Sequence, residues 1–281
     1  MTNRKLSYCA EQVRENDSDR FLTVLFAPSG VRNALFALYA FNLEIAKIHE
    51  SAREPMLADI RFQWWRDAIT QIYAGQPTRH PVVQALQESV QDHALPRAFL
   101  EDLLDARTRN IAVDRPQTYE DLVQYSQSIN APLISMALAL LGAEEGAFHG
   151  AVSNAATAWG LTELLRALPR HLRARRNFLP VEMMAMFDVV AQDIGELRPS
   201  PEVSNLIRRI CEDVENRAIE ARRDFASAGR QFLSPMLLAP LSQQYKRVFG
   251  RAGFDPFHSG FTEKPALRGW NLAYRSMIGR L

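Results

Sequence analysis

Residues 20–50 read RFLTVLFAPSGVRNALFALYAFNLEIAKIHE, and the second half of that stretch decides the fold class. Leu35, Leu38, Phe41, Leu43 and Ile45 recur at mixed three- and four-residue spacings with few β-branched residues among them, the period of a helix face rather than a strand. Working outward, the same period occupies Ile60 to Tyr73, Pro81 to His93, Pro96 to Asn110, Tyr119 to Leu141, Phe148 to Leu168, Val203 to Ala228 and Pro235 to Phe249. Pro55, Pro77, Pro81, Pro96, Pro116, Pro180, Pro199 and Pro235 fall between these segments or in their first turns, where a missing N–H costs nothing. Two prolines sit less easily. Pro132 should kink a helix or start a new one, and Pro169 should end or break the helix before it. No alternating apolar pattern meets an Asn-Gly or Asp-Gly turn, so no sheet is expected. The reading is one all-α domain over residues 1–281 with about ten helices, a core over about 7–250 and a looser tail over 251–281.

Composition narrows the function. The chain has 281 residues with 33 Lys and Arg against 32 Asp and Glu, a formal net charge of +1. That balance excludes a general nucleic-acid binder, whose domain would be strongly basic. A chain this long buries about three-quarters of its unfolded surface and needs no staple. Cys9 and Cys211 stand far apart without CxxC spacing, which excludes a zinc ribbon or disulfide scaffold and fits two reduced thiols. Residues 1–14 are polar, with no apolar stretch of a secretory signal. The longest apolar runs, Ala34 to Phe41 and Pro132 to Gly142, fall short of the roughly 20 residues that span a bilayer. A cytoplasmic protein follows, with peripheral contact at the inner membrane left open.

Candidate chemistry is sparse. The six His are scattered without HExxH spacing, and no phosphate loop or GxSxG elbow occurs. Glu101 and Asp105 share a helix face at i,i+4 but read as solvated surface. Residues 166–176, RALPRHLRARR, have six basic residues and no acidic one. Arg166, Arg170 and Arg173 share one face if the helix persists through Pro169, and three guanidinium groups can grip a diphosphate or phospholipid headgroup. The alternative is a solvated basic turn. Phe62, Trp65, Ile69 and Ile72 form an aromatic and aliphatic stripe that suits a core, or the wall of an isoprenoid site.

Together these segments resemble a known family. Arg20 to Phe41, Tyr73-Ala-Gly75 with His80-Pro81-Val82, Tyr119 to Tyr125, and Leu165-Arg166 followed by Phe178-Leu179-Pro180 are similar, in order and spacing, to the squalene and phytoene synthases. The resemblance implies the isoprenoid-synthase helical bundle around a central cavity, lined here by the Leu35 to Ile48 and Trp159 to Leu168 helices. It also implies two Asp-rich motifs that hold Mg²⁺ against a prenyl diphosphate, and in this sequence those positions fall on Ala46, Lys47 and Glu50, and on Ala167 and His171. Hard Mg²⁺ requires carboxylate oxygen, and of these five residues only Glu50 supplies it. Lys47, and His171 with its neighbour Arg170, are expected to bring positive charge instead.

AFNLEIAKI, RFQWW, GLTELLRALPRHLRARRNFLP and ISMALALLG resemble the synthase-like branch that includes mitochondrial complex I assembly factor six. That resemblance implies a non-catalytic protein in the biogenesis of respiratory complex I (NADH:ubiquinone oxidoreductase). Its partners would be complex I subunits or assembly intermediates, together with an isoprenoid or anionic lipid and no nucleic acid. The polar N-terminus, without a long targeting segment, suggests a bacterial rather than an imported protein. The expected vestigial pocket comprises Asn42, Ala46, Lys47, Glu50, Glu163, Arg166, Ala167, Arg170 and His171, with Lys47, Arg166, Arg170 and Arg173 for an anion. No catalytic residue, metal site or cofactor is expected. The alternative is an active prenyltransferase joining two prenyl diphosphates head to head, which alone would need Mg²⁺.

Overall fold

The computed structural model describes residues 6–51, 55–76, 79–109 and 115–281. Every regular element among them is helical. In chain order they are α1 (Tyr8–Asn16), α2 (Ser18–Val24), α3 (Arg32–Ser51), α4 (Pro55–Tyr73), α5 (Pro81–His93), α6 (Arg97–Arg109) and α7 (Tyr119–Leu140). There follow α8 (His149–Arg173), α9 (Val181–Met186), α10 (Ala191–Gly195), α11 (Pro201–Asp224), α12 (Leu233–Met236), α13 (Leu238–Arg251) and α14 (Arg268–Ile278). None of the described helices is long and apolar enough to cross a membrane.

The packing groups the chain into two compact units, Met1–Ile111 with Pro132–Ala147 and Gly229–Pro235, and Ala112–Ala131 with Phe148–Ala228 and Met236–Leu281. The division falls inside α7, between Ala131 and Pro132. Pro132 starts no new helix, because α7 is assigned as one helix across it. Pro169 likewise does not end α8, which runs on to Arg173. Pro169 is buried, and tertiary packing outweighs the lost backbone hydrogen bond.

In the first unit α3 packs against α1, α4 and α5. Leu35, Leu38, Phe41 and Ile45, the residues that set the helical period, are fully buried there. The stripe Phe62, Trp65, Ile69 and Ile72 of α4 is buried in the same core. Asp17 caps α2 by accepting from the Arg20 backbone N–H at 3.0 Å, and its other oxygen takes the Arg20 guanidinium at 2.6 Å. Arg20 is buried, and such a charge is tolerated only when paired. The Ser234 hydroxyl donates to the Thr23 carbonyl at 2.9 Å, tying a late segment of chain to this early one.

In the second unit α8 packs against α11 and α13. Trp159 is fully buried with its ring edge-on to Tyr245, centroids 6.1 Å apart. Against α7, the Gln127 side chain donates to the Thr157 hydroxyl at 2.9 Å and the Ser153 hydroxyl at 3.1 Å. One turn along, Gly160 allows the helices to close. The segment after Gly250, expected to be looser, carries α14 and buries Phe261 and Leu272. Phe261 stacks on Phe249 at 4.4 Å, so its aromatic residues hold it down. Cys9 in the first unit and Cys211 in the second are free and buried, and burial pushes their thiols up to about 11 and about 12.

A Cβ at position 160 would lie 2.7 Å from the Ser126 Cβ and 3.0 Å from its Cα, with Asn130 at 2.9 Å. Backbone on the facing helix cannot step aside cheaply. Gly160→Val is therefore expected to destabilise by about 2–3 kcal/mol, overpacking exceeding the few tenths gained in helix propensity. Urea denaturation checks this, and a midpoint equal to or above wild type would show that α7 and α8 do not meet as described.

Candidate functional site

On α3, the expected site residues have separate environments. Asn42 is buried and its side-chain oxygen accepts from the Arg107 guanidinium of α6 at 3.0 Å. Ala46 is half-buried, while Lys47 is exposed. Glu50 falls on α3, but its side chain lies outside the described residues. Lys47 borders an open cavity of about 470 Å³ with Glu44 and Ile48 of the same helix, Arg61, Trp64 and Trp65 of α4, and His80 ahead of α5.

The walls of this cavity are aromatic. Trp64 and Trp65 meet edge-on at 5.0 Å, and the His80 ring stands 5.2 Å from Trp64 and 5.6 Å from Trp65. Trp65 is anchored from behind by Phe41 at 4.9 Å. Two cationic side chains, Lys47 and Arg61, and one carboxylate, Glu44, complete the lining. Aromatic faces beside cations suit a ligand with an apolar body and an anionic end. Arg61, Trp64 and His80 were not among the expected site residues. The i,i+3 relation of Arg61 and Trp64 was the available sequence signal.

The second expected set lies on α8. Arg166 is half-buried and its guanidinium sits over the Tyr245 ring, 4.3 Å from the centroid. Glu163 and Ala167 are half-buried, and Arg170 and Arg173 are exposed on the continuous last turns of the helix. Cations there face the negative end of the helix dipole, which stabilises them without any ligand. His171 differs from expectation. Its ring packs 4.8 Å from Phe178, and its buried Nδ1 finds no hydrogen-bond partner. Burial first, then the charges of Arg170 and Arg176, lower its pKa to about 4. The expected positive charge at 171 is therefore absent at neutral pH. The carboxylates Glu101 and Asp105 pair with Arg97 at 2.8 Å and Arg66 at 2.6 Å, as surface groups do.

Residues 13–271 match the squalene/phytoene synthase family. This chain belongs to that family. Among curated relatives, bovine NADH dehydrogenase (ubiquinone) complex I, assembly factor 6, is 29% identical over 260 residues, 92% of this chain and 78% of that protein. A phytoene synthase of Rhodobacter capsulatus is 24% identical over 217 residues, 76% of this chain and 62% of the synthase. A crystal structure of a dehydrosqualene synthase in complex with ligand superposes with a TM-score of 0.84 at 17% identity, covering 96% of this chain and 94% of that one. The all-α isoprenoid-synthase fold follows from that likeness.

Family membership raises the question of Mg²⁺. At the positions where the sequence resemblance would place metal-binding carboxylates, Ala46 and Ala167 offer no donor atom, and Lys47 offers an ammonium. His171 offers a buried ring nitrogen, a poor partner for a cation that takes oxygen ligands in octahedral array. No group of three or more His, Cys, Asp or Glu among the described residues could hold a metal ion. The side chains described here do not fit Mg²⁺.

His171 supplies a test of the environment of α8. Its pKa falls from 6.5 to about 4 on folding, so the unfolded chain binds the extra proton between those values. The contribution of the neutral ring is full above pH 6.5 and is lost as pH falls toward 4. The stability of wild type minus that of His171→Gln, from urea denaturation, is expected to decline steadily across this window. A constant difference would mean the ring titrates normally.

Proposed function

We propose that this family member acts without catalysis in the biogenesis of respiratory complex I. The observation that carries the assembly role is its similarity, along 92% of its length, to proteins named for complex I assembly. The non-catalytic part has separate support. In the family's reaction a diphosphate leaves an allylic carbon, and its developing charge must be neutralised. Replacing hard oxygen ligands with Ala46, Lys47, Ala167 and His171 removes the means of holding a metal for that task.

The fold would then serve as a binding scaffold. An isoprenoid or anionic lipid is the ligand class suggested by the cavity at Lys47, with Trp64 and Trp65 against the apolar part and Lys47 and Arg61 beside the charge. Arg170 and Arg173, exposed on α8, offer a second cationic surface. Complex I subunits or assembly intermediates are the proposed partners. A second reading, head-to-head prenyl transfer, draws on the similarity to a phytoene synthase and needs Mg²⁺ bound through residues other than those aligned with the motifs.

Thermal unfolding separates the readings. A ligand at a hundredfold excess over its Kd stabilises the native state by about 2.7 kcal/mol. A diphosphate analogue alone is expected to raise the melting temperature through the cationic groups, and adding Mg²⁺ to raise it no further. Farnesyl or geranylgeranyl diphosphate with Mg²⁺ should give no squalene or phytoene, while deleting the gene in its host should lower assembled complex I. A Mg²⁺-dependent shift with product formation would establish the transferase instead, and normal complex I in the deletion strain would remove the assembly role.

A further inference from the structure

Helix α14 turns a row of large apolar side chains to solvent. Leu267 at its N-cap is 69% exposed, Trp270 79%, Tyr274 59%, Met277 67% and Ile278 45%. At 100° per residue these five fall within an arc of about 100°. The opposite side is docked. There Leu272 is fully buried, while Asn271, at the edge of the stripe, accepts from Gln244 at 3.2 Å and from the Arg275 guanidinium at 3.0 Å. The helix is thus held in place with its apolar stripe outward, an arrangement that soluble surfaces rarely keep without a partner.

After Glu263 the sequence has charge of one sign only. Lys264, Arg268, Arg275 and Arg280 occur within residues 264–281, and no Asp or Glu does. Arg222 of α11 and Arg247 of α13 lie close enough to act on the Arg275 charge. In a chain whose overall charge is only +1, this is a local concentration of cations.

We propose that α14 is a membrane-surface helix, seating Leu267, Trp270, Tyr274, Met277 and Ile278 at the headgroup boundary of an anionic bilayer, with the flanking Lys and Arg on lipid phosphates. Trp and Tyr favour that boundary because each has an apolar body and a polar edge. An amphipathic helix of this kind lies in the plane of the interface, its apolar face about 5–10 Å deep. Charge argues against a second copy as the occupant, since an isologous pairing would bring the same cations together. Anionic headgroups complement them. The inference goes beyond the assembly role and holds whether or not that role does.

Flotation of the full chain with phosphatidylcholine vesicles, with and without phosphatidylglycerol, tests it. Binding is expected to be about tenfold stronger with phosphatidylglycerol and to weaken as salt rises. The exposed pairs Trp270→Ser/Met277→Ser and Lys264→Glu/Arg280→Glu should each lower binding about tenfold. Unchanged circular dichroism and melting temperature would assign that loss to the surface rather than to unfolding. No binding to phosphatidylglycerol vesicles, or binding untouched by the first pair, would overturn the proposal. A wild-type dimer abolished by that pair, without vesicle binding, would assign the face to a second copy.

Discussion

Position 160 of α8 has no room for a side chain, and the arrangement of the second unit depends on that. Where Gly160 faces Ser126 and Asn130, the two backbones lie closer than any Cβ allows. The glycine costs about 1 kcal/mol of helix propensity relative to alanine. Burial of Trp159 and Leu161 on either side offsets this, each side chain contributing on the order of 2 kcal/mol. Hydrogen bonds from Gln127 to Ser153 and Thr157 continue the same seam. With α8 seated on α7, α11 and α13, its residues from Glu163 to Arg173 hold defined positions, which any binding role of that helix requires.

If the protein acts without catalysis, as proposed, the reason lies in the residues at the positions that the resemblance assigns to metal ligands. A metal-binding face must gather like-charged carboxylates, which repel until the cation arrives. Here, Glu50 apart, the residues that the resemblance assigns to those positions are small, cationic or neutral. Arg166 rests on an aromatic ring, and Asn42 is engaged by Arg107. His171 stays uncharged in its apolar setting. The helical frame depends on residues such as Leu35, Phe41 and Trp159, none of which touches this chemistry.

Much of this was legible in the sequence, because helix periodicity is a local property. The buried faces of α3 and α4 were readable residue by residue, as were the starts of α4, α5, α6 and α9, marked by proline. Pro169 misled because a broken backbone bond is a local cost, whereas the burial that overrides it comes from residues distant in sequence. The charge of His171 misled for a related reason: its proton affinity is set by Phe178 packing and by neighbouring guanidiniums, not by its own type. The cavity beside Lys47 needed three segments, α3, α4 and the turn at His80, to be brought together. The stripe on α14 is open to reading at i, i+4 and i+7 from Trp270, but the Gly, Pro and Phe of that segment point to a loose tail instead.

The two buried thiols have a practical consequence. Near neutral pH, a thiol held at about 11, as Cys9 is, presents thiolate about one time in ten thousand, and Cys211 less still. Neither can react with an alkylating reagent until the helices around it open. One sits in each unit, so the labelling rate of each reports on the helices around it, with no engineered probe. At low reagent concentration each rate follows the equilibrium between closed and open forms. A ligand held in the first unit would slow the labelling of Cys9, and a surface engaging α14 that of Cys211.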